Sequence, residues 1–132
     1  MDAKWLIDHE RIRKINGSFS WIDHRFIPGR FIHDLSREEV LIYLFLVAVS
    51  DRQGLSFYHD DRICSLLKTD LTALGEAREM LIERSLIAWR PPVYQVLSLP
   101  PQPVTPPSPE ERFLRQRQTS LAYLKKIQEA IA

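Results

Sequence analysis

Residues 55–97 read LSFYHDDRICSLLKTDLTALGEAREMLIERSLIAWRPPVYQVL, and the fold turns on this stretch. Asp60 or Asp61 caps a short helix whose inner side is expected to be Ile63, Leu66 and Leu67. Lys68-Thr69-Asp70 is a polar corner, with Asp70 as N-cap of the next helix, which runs to about Arg84. At about 100° per residue, Leu74, Ala77 and Leu81 share one face of that helix. Thr72, Gly75, Glu76, Glu79 and Glu83 share the other. Ile87-Ala88-Trp89 and Val93 to Leu97 then form two short strands around Arg90-Pro91-Pro92, since prolines cannot donate to a ladder and belong at a tip.

Upstream, Ser56-Phe57-Tyr58 is expected to be another short strand. Ser36-Arg37-Glu38-Glu39 is a capping box in which the Ser36 hydroxyl accepts from the amide of Glu39 and Glu39 reaches back to the amide of Ser36. The helix behind it is apolar on every side from Val40 to Val49, which predicts a central helix surrounded by protein. Asp51-Arg52-Gln53-Gly54 ends it, with Gly54 suited to a left-handed position past the helix end.

Residues 1–17 mix apolar and basic groups and fit a helix, a strand or an arm. Asn16-Gly17 marks a turn, Ser18 to Ile27 reads as weakly extended chain, and Phe31-Ile32 as a short extended piece. Downstream, residues 100–109 hold six prolines, a stiff extended spacer. Ser108-Pro109-Glu110-Glu111 is a second capping box with proline at the first helical position. The last helix carries Leu114, Leu121, Leu124, Ile127 and Ile131 on one stripe. That stripe packs against a second copy or a partner, or folds back over the domain. The chain therefore divides into an amino-terminal extension (1–34), a domain (35–99), a proline-rich linker (100–109) and an amphipathic carboxy-terminal helix (110–132).

The whole-chain numbers are those of one globular domain: 45% hydrophobic and 27% charged residues over 132 positions, enough to build a core. A net charge of +1 argues by itself for neither nucleic acid nor membrane. The one cysteine, Cys64, excludes an internal disulfide and reads as a core thiol. Asp2, Asp8 and Glu10 interrupt any signal-like opening, and the run Val40–Val49 is half the length of a bilayer span, so a soluble cytoplasmic protein without a membrane partner is expected.

Phe26-Ile27-Pro28, Leu35-Ser36 before a helix containing Tyr43-Leu44, Asp51-Arg52-Gln53-Gly54, Ser56-Phe57-Tyr58, Ile63-Cys64, Ala77-Arg78 and Leu86-Ile87 together resemble bacterial winged helix-turn-helix domains. The similarity covers roughly residues 26–98 and is nearest to the amino-terminal domains of phage replisome organisers, primosome-loading proteins and plasmid replication initiators. It implies a mainly α fold with a small β-wing (α+β), and a DNA-binding or assembly role in replication, transcription or a mobile element. Ser85 stands where winged-helix proteins often carry glycine.

If the resemblance holds, the helix after the polar corner enters the major groove and the wing lies on the adjacent backbone. Candidate contacts to double-stranded DNA are Arg62, Lys68, Thr69, Thr72 and Arg90, each of which also reads as an ordinary solvated residue. Charge sharpens the question. Residues 34–99 hold seven Lys/Arg against ten Asp/Glu, a net of −3, and Glu76, Glu79 and Glu83 face outward on the supposed reading helix, where a polyanion repels them. Surplus cations lie outside, at Arg11, Arg13 and Lys14 and at Arg112, Arg115 and Arg117. An arm carrying the first cluster suits a phosphate backbone or a minor groove. The alternative is a protein-interaction adaptor in which Glu76 and Glu79 dock a basic partner, and Leu114, Leu121, Leu124 and Ile131 pair with a second copy or another protein.

No constellation points to an enzyme. His9, His24, His33 and His59 lack zinc spacing, Cys64 has no cysteine partner, and no glycine run cradles a phosphate, so neither metal nor cofactor is expected. Trp5, Phe19, Trp21, Phe26 and Phe31 read as core or interface aromatics rather than a stacking platform.

Overall fold

The computed structural model describes residues 3–131. In chain order it has 3-10 turns at Ala3–Trp5 and His24–Phe26, then α1 (Arg37–Val49), β1 (Leu55–Ser56), α2 (Asp60–Leu67), α3 (Leu71–Glu83), β2 (Ile87–Arg90), β3 (Val93–Val96) and α4 (Pro109–Ile131). The class is mixed α+β: helices with a small three-stranded antiparallel sheet in the order β1-β3-β2. Trp89 sits opposite Tyr94 in the β2–β3 hairpin, and Ser56 opposite Tyr94 on the other side.

Local chemistry sets where each element starts and stops. Ser36 caps α1 by accepting from the Glu39 amide at 3.2 Å, while the Glu39 carboxylate takes the Ser36 hydroxyl at 2.6 Å instead of the Ser36 amide expected of a capping box. The chain leaves α1 through an extended Ser50, so Gly54 is not the helix cap that its position suggests. Its φ of +86° belongs to the turn into β1, and a Cβ there would lie 2.2 Å from the Val96 carbonyl oxygen; only glycine lets the backbone of this turn meet β3. β1 starts one residue before its expected position and ends two before it, leaving Phe57 outside the strand and exposed. Lys68 (φ 56°) and Ser85 (φ 59°) both occupy the left-handed region, closing α2 and leading from α3 into β2. Asp70 caps α3 by accepting from the Ala73 amide at 2.8 Å.

The core is built where these elements converge. Ile42, Tyr43, Leu46 and Val47 of α1 pack with Ile63, Leu74, Ala77, Leu81, Leu86, Ile87 and Tyr94. The expected inner face of α3 is buried in full; of the α2 trio, Ile63 is buried and Leu67 partly so, but Leu66 is 47% exposed. α1 is not surrounded either, because Leu41, Leu44 and Ala48 form a strip open to solvent. The packed unit starts earlier than residue 35: Phe26 and Phe31 are core residues, and Phe26 stacks on Tyr43 with centroids 4.8 Å apart. Arg25 holds this segment in place, donating to the Asp23 carboxylate and to the carbonyls of Leu99 and Pro100. The segment is a run of turns rather than extended chain, with Ile32 bonded back to Phe26 and Leu35 to Ile32. Cys64 packs half-buried against the core, which pushes its thiol pKa up.

α4 differs from everything before it. Ser108 and Glu111 make the reciprocal box, each side chain accepting from the other residue's amide. None of its residues is buried, and its stripe does not fold back over the domain; Arg112 donates to the Met80 sulfur of α3 at 3.1 Å. No described helix is long and apolar enough to cross a membrane.

Candidate nucleic-acid interface

The side chains that set the pose of α3 form a closed polar knot around Arg78, near its middle. Arg78 donates to the Asp60 carboxylate at 2.9 Å and to the Tyr94 hydroxyl at 2.7 Å, and that hydroxyl donates to the other Asp60 oxygen at 2.9 Å. The guanidinium lies 3.6 Å from the Trp89 ring centroid, a close cation–π stack. The knot joins the first turn of α2 to α3 and to both strands of the hairpin. It also explains why α2 has no side-chain cap: its N-cap is His59, which makes no capping bond, and Asp60 is committed to Arg78 rather than to the helix end. Burial is the main force on Tyr94, partly opposed by the bond from Arg78, and its pKa is pushed up to about 12. Burial pulls Arg78 down, but its bonds to Asp60 and Tyr94 outweigh that and hold it protonated.

In a count of charges Arg78 is one more surface cation; the geometry withdraws it from any surface role. A signal is present in the sequence, since Arg78 falls only about 40° around the helix from Leu74, on the inward half. Arg84 is withdrawn as well: it faces Glu39 at 3.7 Å and donates to the Asp34 carbonyl at 3.2 Å, with both charged side chains largely buried.

The surface that remains can be walked from the corner outward. Lys68 is exposed at its left-handed position, and Leu71 and Thr72 are exposed in the first turn of α3. Thr69 is not a free contact, because its hydroxyl donates to the Glu38 carboxylate and ties the corner to the first turn of α1. Glu76 and Glu79 are exposed along α3 and Glu83 half so, with no ion pair to any of them among the described residues. Arg90 is exposed where the hairpin turns. Beside that turn, a shallow pocket is lined by His59, Asp60, Asp61, Pro91 and Pro92, so the hairpin tip has acidic as well as basic neighbours.

Arg62 stands apart. It lines an open groove of about 1280 Å³ with Phe19, Trp21, Ala48, Phe57 and Tyr58, between residues 17–21 and the α1–β1–α2 edge. The Ser20 hydroxyl anchors that side of the groove, donating to the carbonyls of Ser50 (2.8 Å) and Ala48 (3.3 Å). The aromatics grouped in the sequence thus divide: Phe26 and Phe31 are core, while Trp5, Phe19 and Trp21 are exposed. Arg11, Arg13 and Lys14 are exposed on irregular chain, and Leu114, Leu121, Leu124 and Ile131 lie open on α4. The structure therefore brings Lys68 and Thr72 together at one end of α3 and disperses the other candidates. Among the described residues no group of three or more His, Cys, Asp or Glu side chains is placed to hold a metal ion.

No protein-family model, curated protein or solved structure matches the chain.

Proposed function

We propose that this chain is a winged helix-turn-helix DNA-binding module acting in replication initiation, transcription regulation or a mobile element. The observation that supports it best is the order helix, strand, helix, helix, strand, strand combined with sheet order β1-β3-β2. In that arrangement α3 is the reading helix and the β2–β3 hairpin is the wing. Lys68 and the exposed first turn of α3 approach the groove, and Arg90 meets a flanking phosphate. Arg11, Arg13 and Lys14 supply the cations that residues 34–99 lack. Fluorescence anisotropy on duplexes from the neighbouring genome tests the assignment. Binding should weaken log-linearly with salt, and Lys68→Ala with Arg90→Ala should flatten the salt slope by about 2, one for each phosphate no longer neutralised. Absence of salt-sensitive binding at low ionic strength rejects it.

A second function, a protein-interaction adaptor, is favoured by one specific observation. The arginine on α3 is consumed by the knot while Glu76 and Glu79 face solvent. Glu76→Lys with Glu79→Lys separates the two. The double change strengthens DNA binding if α3 reads DNA, and abolishes capture of a basic partner if α3 docks protein.

A further inference from the structure

We propose that α4 pairs antiparallel with α4 of a second copy of this chain, and that the symmetry of its own sequence selects that partner. The inference is independent of whether α3 reads DNA. α4 is 23 residues long, about 35 Å, and exposes Phe113, Leu114, Leu121, Leu124 and Ile131 by more than half each. Large apolar side chains exposed along one side of a helix, with charged groups on the other, mark a surface made for a partner. The opposite side of the helix carries Glu111, Arg115, Lys126 and Glu129 in solvent.

Two polar residues, Arg117 and Gln128, stand in the centre of the apolar stripe, and they decide the pairing. Six positions along the middle of the stripe are symmetric about the bond between Ala122 and Tyr123, while Ile127, at its edge, mirrors onto Gln118. Leu121 and Leu124 are equidistant from that point, so are Arg117 and Gln128, and so are Leu114 and Ile131. A two-fold axis through it therefore sets leucine on leucine at the centre and leucine on isoleucine at each end. In the layers between, each Arg117 meets the partner's Gln128, whose amide oxygen accepts from the guanidinium. A parallel, in-register pair would instead set Arg117 on the partner's Arg117, two like charges in one layer of a water-poor seam. An unrelated apolar helix would leave Arg117 and Gln128 without such matched partners. Self-pairing satisfies both.

The test uses the full chain. Light scattering or sedimentation at tens of micromolar should give twice the mass of one chain, and Leu121→Glu with Leu124→Glu should halve it. Because no α4 residue is buried, the thermal midpoint of the core checks that this variant still folds. Orientation is read by disulfide formation, with links located by peptide mass so that Cys64 can stay in place. A mixture of Arg117→Cys and Gln128→Cys chains should cross-link 117 to 128, and neither chain should link to its own kind through these positions. In the antiparallel pair the two 117 positions are about 16 Å apart along the axis, beyond disulfide reach. A monomeric wild type, a dimer that survives the double glutamate change, or self-linking of Arg117→Cys would each overturn the proposal.

Discussion

α1 and α4 begin with the same local instruction and end in opposite surroundings. Each opens on Ser-x-x-Glu, with Ser36 and Ser108 both accepting from the amide three residues on. Yet α1 buries Ile42, Tyr43, Leu46 and Val47, while α4, ten residues longer, buries nothing. The caps specify that a helix starts; what happens to its apolar side depends on the tether. After α1, the Gly54 turn carries the chain back into the sheet against its own core. Before α4, the proline-rich segment leads into a helix that buries none of its residues and meets α3 through the Arg112–Met80 bond.

Substitutions placed in matched positions of the two regions should separate them. Leu46→Ala should lower unfolding stability by about 2–5 kcal/mol, as cavities in packed cores do. Leu121→Ala, measured at a dilution where the chain is a single copy, should change it by no more than about 0.5 kcal/mol. Equal losses in denaturant melts would erase the distinction between the two helices.

High pH should attack the core region alone. Tyr94 holds its proton to about pH 12, against 10.0 for an ordinary tyrosine. Between those values the folded state binds the proton that the unfolded state has already released. Stability from this group is therefore complete below pH 10 and falls as pH rises toward 12, by roughly 2–3 kcal/mol across the window. Tyr94→Phe should remove the last component of the tyrosinate absorbance titration. Asp60→Asn, which leaves Arg78 without its carboxylate, should cost about 1–3 kcal/mol in the same melts. The smallest contrast lies in the caps. Ser36→Ala should cost about 1 kcal/mol of global stability. Ser108→Ala should fray the start of α4, seen as faster amide exchange near residue 111, with the melting point of the core unmoved.

The sequence tells most where one residue decides a local geometry. The boundaries of α1 and α3, the corner at Lys68-Thr69-Asp70, the inward trio Leu74, Ala77 and Leu81 and the hairpin around Pro91-Pro92 all follow from caps, periodicity and proline placement. What it conceals is long-range. Asp60 looks like a cap until Arg78 and Tyr94 are folded beside it, and Thr69 looks like a free hydroxyl until Glu38 arrives from another helix. α1 looks as if protein surrounds it because its sequence is apolar throughout, but Leu41 and Leu44 remain in solvent. Phe26 and Phe31 are legible as core or interface aromatics, yet the division of the chain leaves them in an extension, because turns rather than a helix carry them into the core. The candidate DNA contacts are legible as residue types. Which of them are already bonded depends on partners from elements far away in sequence.

Amide hydrogen exchange of the full chain, with and without a bound duplex, is the most direct test of α3 and the hairpin as the DNA-binding surface, because it reports on both regions of the molecule at once. Protection is expected to concentrate at residues 68–76 and 87–94, with the α4 pattern unchanged by DNA. Protection restricted to α4 or to residues 11–14, with the α3 start and the hairpin tip exchanging as before, would contradict that assignment.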